Sequence, residues 1–447
     1  MSRAGVLERT AGAEGTAAAR GAGPFRTELR RGTGPLSALL IFLSVTLAMA
    51  GKATDSRAGT DWPSSWSQTA GLLGTLVLLS APLATAAGAW QGAREHRTRL
   101  TELLASTPRG LLRRSLPAWV SAALWPALGY LAAAAVCHAY ALLYVSYGRP
   151  LLASAVAHAT LTAAFGTLGF ALGRAVPRAF TAPVSAVAAY VLLGATAYTD
   201  GPLARLSPVD GRTSAGHTLA WWQPPAEMLL AAGVGGAALV VAVASLRHKP
   251  LAVVPLLLAV VGGGLLTQGG DPWRSDPGAT ALVCDRKAPR LCLTAVHGGL
   301  LDDASRRLDP LRAKLSGVPG LPERLVEAPG RRRAEGDRAL PPADMYSARN
   351  RIDDGEFFVR NAWSAMGLVR HGCRFGPRAR LLNSAVDAWV MEFDDRRIGF
   401  FADEEEVRRT RAVIDRIDAL SPAGREAWLT AYFTAARECA VDTVELP

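Results

Sequence analysis

The first 270 residues of the chain alternate between long uncharged stretches and short charged ones. Seven intervals contain no Lys, Arg, Asp or Glu: 32–51, 62–93, 115–148, 150–173, 179–199, 228–246 and 250–270. A helix rises about 1.5 Å per residue, so about 20 apolar residues cross the roughly 30 Å hydrocarbon core of a bilayer. The pattern therefore predicts seven transmembrane helices.

The pattern changes after residue 270 and becomes that of a soluble domain. Two β-like runs flank a turn at 285–289, and helices are predicted over 302–315, 354–370, 381–393, 404–420 and 422–440. The last helix has Ser421 as its N-cap and Pro422 at its first position, which are both typical start signals. This region is predicted to be a small α+β, mostly helical, domain.

The basic residues are distributed in the way that sets membrane topology. All of the net charge of +11 lies in residues 1–266, because residues 267–447 carry 28 Lys and Arg against 28 Asp and Glu. With a cytoplasmic N-terminus, 16 Lys and Arg of the membrane half face inward and five face outward. Basic residues in short loops stay on the cytoplasmic side during insertion. We therefore expect a plasma-membrane protein whose C-terminal domain lies outside, and no nucleic-acid binding.

Four of the five cysteines lie in that C-terminal region. Cys284 and Cys292 flank the turn between the β-like runs, which suggests a hairpin closed by a disulfide, and Cys373 and Cys439 remain as a second pair. Disulfides persist in oxidising compartments, so this usage agrees with an extracytoplasmic domain. The alternative is four reduced core cysteines. Cys439 falls on the apolar face of the last predicted helix, so we expect it to be buried.

These observations give four regions. They are a cytoplasmic tail (1–33) in which 24–31 could form an interfacial helix, a six-span membrane domain (34–249), a seventh transmembrane helix (250–267) and the extracytoplasmic domain (268–447). The predicted fold class is an α-helical polytopic membrane protein with seven transmembrane helices plus that domain.

The cytoplasmic segment between the second and third spans is the most polar part of the membrane half. Residues 94–105 are predicted to form an amphipathic helix with Leu100, Leu103 and Leu104 on one face, and Pro108 ends it. Such a helix on the membrane surface suits docking of a soluble partner. The alternative is a connecting loop whose arginines only follow the positive-inside bias.

This segment resembles the cytoplasmic coupling helix of ABC-2-type exporter permeases, which lies between their second and third spans. The positions that match the family pattern are Glu95, Glu102, Leu103, Leu104, Ser106, Thr107 and Pro108. The family's Gly-Thr pair is missing, and Arg99 and Leu100 take its place. The layout of residues 24–249 is also similar, with six spans and a long outer segment between the fifth and sixth.

The resemblance implies a permease subunit that works with a separate cytoplasmic ABC ATPase. The implied coupling residues are Glu95, Arg97, Glu102, Leu103, Leu104 and Pro108. ATP would bind the partner, because the chain has no Walker A loop: among its four lysines only Lys52 follows a glycine, and Ala53 comes next. We therefore expect no cofactor and no enzymatic activity in this chain. The family also implies a homodimer or a paired permease.

His138 and His158 are the only histidines inside the uncharged intervals. They lie at similar distances from the turn near residues 148–150, so they are expected at similar depth on neighbouring antiparallel helices. Ionisable residues inside a membrane are candidates for a substrate or ion route. The alternative is a pair of neutral histidines that only hydrogen-bond helix to helix.

The C-terminal domain offers no catalytic motif and no metal-binding pattern. It has neither His-Glu-x-x-His nor Gly-x-Ser-x-Gly, and the neighbours His371 and Cys373 are its only suggestive pair. The sequence favours an exporter permease. A membrane-anchored extracytoplasmic sensor or assembly protein is the alternative, and an outer-face membrane enzyme is a third class.

Overall fold

The chain forms two compact units. The computed structural model describes residues 32–54, 62–98, 111–199, 201–209, 215–327, 334–370, 372–399 and 403–447. The first unit comprises Met1–Asp55, Trp66–Leu143 and Arg149–Asp276, and the second comprises Ser56–Ser65, Tyr144–Gly148 and Pro277–Pro447. The tail 1–31, residues 99–108 and His371 lie outside the described residues.

The first unit is a bundle of apolar helices. Its helices are α1 (Gly34–Thr54), α2 (Trp66–Thr75), α3 (Val77–Gly92), α4 (Arg94–Arg97), α5 (Leu111–Ala141), α6 (Leu152–Ala175), α7 (Thr181–Ala197), α8 (Gln223–Val243) and α9 (Val253–Gln268). A two-stranded antiparallel sheet joins β1 (His217–Leu219) to β2 (Trp273–Ser275). Because this pairing ties the residues after α9 to the bundle, the first unit extends to Asp276.

Among the described residues of this unit, six segments are long and apolar enough to cross a membrane. They are Gly34–Ala53, Trp66–Gly92, Arg114–Ala141, Leu152–Ala175, Gln223–Val243 and Arg247–Gln268. These six helices support the predicted class of α-helical membrane protein. The remaining uncharged interval, 179–199, forms α7, which is apolar but only 17 residues long.

Helices α3 and α6 approach each other along a row of small residues. The glycines at this contact are Gly88, Gly92, Gly166, Gly169 and Gly173. A Cβ added at Gly169 would lie 2.0 Å from the carbonyl oxygen of Thr85. Small residues allow such backbone contact between helices in lipid, where burial of apolar surface gives no driving force.

The second unit is an α+β fold around one core. Its strands are β3 (Leu282–Cys284), β4 (Arg290–Thr294), β5 (Arg324–Glu327), β6 (Asp337–Leu340), β7 (Ser347–Ala348) and β8 (Arg351–Ile352). Its helices are α10 (Leu301–Lys314), α11 (Gly355–Met366), α12 (Pro377–Met391), α13 (Asp395–Ile398), α14 (Glu404–Ala419) and α15 (Pro422–Arg437). The order β3-β4-β5-β6 makes a hairpin followed by two parallel pairings, and α10 connects β4 to β5.

The predicted hairpin is present, and two disulfides close the second unit. Cys284 and Cys292 face each other across β3 and β4 and are bonded, and we call this bridge the hairpin disulfide. Cys373 is bonded to Cys439, and we call this bridge the terminal disulfide.

The expectation that Cys439 is buried is wrong. Helix α15 ends at Arg437, and Cys439 lies beyond it with a left-handed backbone (φ 59°) and an exposed side chain. The apolar face of the helix continues only as far as Ala436, which is buried.

Candidate functional site

The first unit encloses a cavity of about 610 Å³ near the beginnings of α6 and α8. Among the described residues, its walls come from α2, α6, α8, the end of α9 and the connection between α7 and α8. Two tryptophans, Trp222 and Trp273, line it, together with the polar side chains of Gln223, Glu227 and His158. Cavities of about 300–1,000 Å³ with a few convergent polar groups are typical small-molecule sites.

A buried acid and a buried imidazole meet at this cavity. Atom Nε2 of His158 lies 3.7 Å from Oε2 of Glu227, and their side chains are 7% and 9% exposed. The amide of Gln223 donates to Oε1 of Glu227 at 2.8 Å. His158 is six residues into α6 and Glu227 is four residues into α8, which places both about 6–9 Å from the helix ends.

Tyr130 fixes the orientation of the imidazole. Its hydroxyl donates to the carbonyl of Leu73 at 2.8 Å, and Nδ1 of His158 lies 3.3 Å from the same hydroxyl oxygen. Because the single hydroxyl proton goes to Leu73, Nδ1 must be the donor in the second contact. Nε2 is then the nitrogen that gains or loses a proton, and it is the one that faces Glu227.

Beside this cluster the second span has a local irregularity. Leu76, between α2 and α3, has a ψ of −3° against the helical value of about −42°, but the N–H of Ser80 still donates to the carbonyl oxygen of Leu76 at 3.1 Å. Pro82 in α3 has no N–H to donate to the preceding turn. Gly74 keeps the backbone close to the imidazole: a Cβ there would lie 3.1 Å from Cε1 of His158.

The two histidines have different surroundings. His138 stacks on Trp66 with ring centroids 5.8 Å apart, and its Nδ1 lies 2.8 Å from the carbonyl oxygen of Ala134 in its own helix. The structure therefore places His158, and not His138, at the cavity. The sequence analysis missed its partners Glu227, Gln223 and Tyr130.

One signal for Glu227 was present in the sequence. The uncharged interval 228–246 predicts a sixth span that begins after Glu227 and leaves this residue in the preceding loop. Pro224 and Pro225 favour the first turn of a helix, and α8 begins at Gln223. A helix start at this pair of prolines puts Glu227 inside the span.

The segment 94–108, which the resemblance predicts to be a coupling helix, is described only at its start. Helix α4 covers Arg94–Arg97, and Glu95 forms ion pairs with Arg114 of α5 at 3.0 Å and Arg174 of α6 at 3.3 Å. The guanidinium of Arg97 lies 3.8 Å from the ring centroid of Trp90. Both side chains therefore hold α4 against the bundle, while Glu102, Leu103, Leu104 and Pro108 lie outside the described residues.

The second unit contains a separate buried pair. His297 Nδ1 lies 2.8 Å from Oε1 of Glu327, which also accepts from the backbone N–H of Ala343, and Oε2 accepts from Thr294. Burial alone would raise the pKa of the Glu327 carboxyl. The hydrogen bond and charge of His297, with the two backbone donors, outweigh it, and the pKa is lowered. The carboxylate joins β4, β5 and the segment after β6, so its role is structural.

Within the described ranges, no group of three His, Cys, Asp or Glu side chains is placed to hold a metal ion. Comparison of the chain with known protein families, with curated proteins and with solved structures finds no match. A function for the chain can therefore be inferred only from the geometry of the cavity and of the Glu95 ion pairs.

Proposed function

We propose that this chain is the membrane subunit of an ABC-type exporter and works with a separate cytoplasmic ATPase. The observation that carries the proposal is the His158–Glu227 pair at a cavity inside a bundle of apolar helices. An ionisable pair is expensive inside a membrane and is retained where a substrate or ion route needs it. An anchor for an outer domain has no need of such a cavity.

Glu95 provides a mechanical link from the coupling segment to the cavity. Its carboxylate bridges α4 to α5 and α6, and Arg174 of α6 lies 16 residues, or about 24 Å, along the same helix from His158. A push on the 94–108 segment by a bound ATPase would therefore move α5 and α6. Movement of α6 shifts His158 relative to Glu227 on α8.

The proposal includes α7 as the fifth of seven spans, in addition to the six longer helices, and an outer location for the second unit. Seventeen residues is the lower limit for a transmembrane helix, and α7 packs Ser185 and Ala189 inward while Val184, Val187 and Val191 are exposed for lipid. With seven crossings from a cytoplasmic N-terminus, the two disulfides lie in an oxidising compartment.

The topology is tested with epitope tags on intact cells. A tag after Pro447 should bind antibody without permeabilisation, whereas a tag at the N-terminus should bind only after it. A C-terminal tag that is reached only in permeabilised cells would refute the seven-span topology.

The ATPase partnership is tested by purification of the tagged chain from its native membrane. We expect an ABC ATPase to co-purify, and Glu102→Lys to reduce its recovery by at least about fivefold, because an interfacial charge reversal costs 1 kcal/mol or more. Lys249→Glu, a charge reversal of the same size and opposite sign at an exposed residue of the predicted cytoplasmic face, is the control. An ATPase recovered equally with both variants would contradict the coupling assignment.

The expected pairing of permeases is tested in the same preparation. Two differently tagged copies of the chain are co-expressed, and one tag is purified. Recovery of the second tag supports a homodimer, whereas recovery of a different polytopic protein supports a paired permease.

A further inference from the structure

We propose that the cavity binds a small organic cation, an amine, through the carboxylate of Glu227. The inference rests on the proposed function, because it assigns a class of ligand to the transport route. It follows from the charge at the floor of the cavity, its polar groups, its aromatic walls and its size.

The carboxylate of Glu227, which we call the floor of the cavity, favours a positively charged ligand. In the six long helices, as far as the structure describes them, Glu227 is the only Asp or Glu. The amide of Gln223 donates to Oε1 of Glu227, so the carboxylate acts as an acceptor, and Oε2 lies 3.7 Å from Nε2 of His158, beyond hydrogen-bond distance. An ammonium at this place would add a full positive charge opposite the carboxylate, and charge-assisted hydrogen bonds of this kind are the strong ones.

The other charged residues that line the cavity, Arg205 and Asp271, do not reverse its preference for a positively charged ligand. Arg205 lines the cavity, and its guanidinium donates to the carbonyl oxygen of Thr267 at 3.1 Å. Asp271 lines the rim as an exposed acid. The charged lining described here is therefore two carboxylates against one guanidinium, which disfavours an anionic ligand.

The polar groups at Glu227 suit an ammonium better than a metal ion. Calcium takes six to eight oxygen ligands, and magnesium requires near-octahedral oxygen geometry. The neighbours of this carboxylate contribute one amide and one imidazole instead. An ammonium has three N–H donors, and these match the acceptors that a single carboxylate and nearby oxygens offer.

The walls fit the rest of an organic cation. Trp222 and Trp273 line the cavity, and aromatic rings attract cations as well as apolar groups. The volume of about 610 Å³ accommodates a small organic molecule and exceeds the needs of a bare ion. The predicted ligand is an amine with an apolar or aromatic part.

The inference is tested by calorimetric titration of the purified full-length chain in nanodiscs with three probes of similar shape. These are 2-phenylethylamine, its neutral analogue 2-phenylethanol and the anion phenylacetate. We expect the amine to bind at least about tenfold more tightly than the other two, which corresponds to one charge-assisted hydrogen bond. Equal binding of the amine and the alcohol, or binding of none of the three, would overturn the inference.

Substitutions at Glu227 test whether its carboxylate causes the preference for the amine. Glu227→Gln should remove the preference for the amine, whereas Glu227→Asp should keep the preference with weaker binding. Glu404→Gln, at an exposed acid of the second unit that does not line the cavity, is the control and should change amine affinity by less than about threefold, as surface charges do. Loss of the preference in Asp271→Asn, at the exposed rim, but not in Glu227→Gln would move the site to the rim and refute the assignment.

The outcome is separable from the proposed function, because no ATPase takes part in the titration. If the ATPase co-purifies and no probe binds, the exporter proposal stands and the ligand class is wrong. If the amine binds and no ATPase is found, the cavity is a cation site in a protein of another function.

Discussion

The close contact between α3 and α6 gives the sharpest prediction of the fold, at Gly169. A Cβ at this residue would lie 2.0 Å from the carbonyl oxygen of Thr85, whereas an ordinary contact begins at 3.4 Å. A backbone oxygen cannot rotate away, so Gly169→Ala must separate the helices locally by about 1.4 Å. Overpacking of this kind costs about 1–3 kcal/mol, and the rigid neighbour puts Gly169→Ala near the upper end.

The matched control is Gly194→Ala in α7. A Cβ at Gly194 has nothing within 4 Å, and alanine is the better helix former. The assay heats the full-length chain in detergent and measures the fraction that remains monodisperse. We expect Gly169→Ala to lose its monodisperse form at a lower temperature than the wild type, and Gly194→Ala to equal or exceed the wild type. Equal midpoints for the two variants would refute the packing of α3 against α6.

Three further predictions concern the ion pairs and disulfides. Glu95→Gln should weaken the attachment of α4 to the bundle by about 1 kcal/mol, the free energy of a partly exposed ion pair. Trypsin should therefore cleave residues 94–99 in inside-out vesicles about fivefold faster. An unchanged cleavage rate would contradict the bridging role of Glu95. The terminal disulfide closes a loop of 66 residues, and replacing its cysteines with serine should destabilise the second unit by about 4 kcal/mol. The hairpin disulfide closes a loop of 8, and the same replacement there should cost about 2.5 kcal/mol. Thermal unfolding that reverses this order would exclude loop entropy as the cause. The pKa of Glu327 is lowered in the folded state, so its ionised carboxylate stabilises the fold. This contribution to the free energy of unfolding is fully present above the usual glutamate pKa of about 4.3 and is lost as the pH falls through the lowered pKa of the folded state. Glu327→Gln should therefore cost about 3 kcal/mol at pH 7 and flatten the acid limb of stability, and an unchanged acid limb in this variant would show that another group is responsible.

The bundle was readable from the sequence because each span is a local property of the chain. An uncharged interval of about 20 residues is sufficient to predict a membrane helix, and six such helices are present. The hairpin of the second unit was readable for a similar reason, since its two strands and its turn lie within 13 residues.

The site was less readable because its contacts join distant parts of the chain. Glu95 reaches Arg174 across 79 residues, and Tyr130 reaches Leu73 across 57. Periodicity shows which residues share a helix face but not which helix lies opposite. The exposure of Cys439 was missed for a related reason, because the helix pattern continued past the residue at which α15 ends.

The most direct test of the account is ATP hydrolysis by the co-purified ATPase in proteoliposomes. We predict that hydrolysis changes at least about twofold when the ATPase is bound to this chain, and that Glu102→Lys removes the change while Lys249→Glu preserves it. An ATPase whose rate is the same with and without the chain, or the absence of any ATPase from the purified material, would contradict the proposed exporter function.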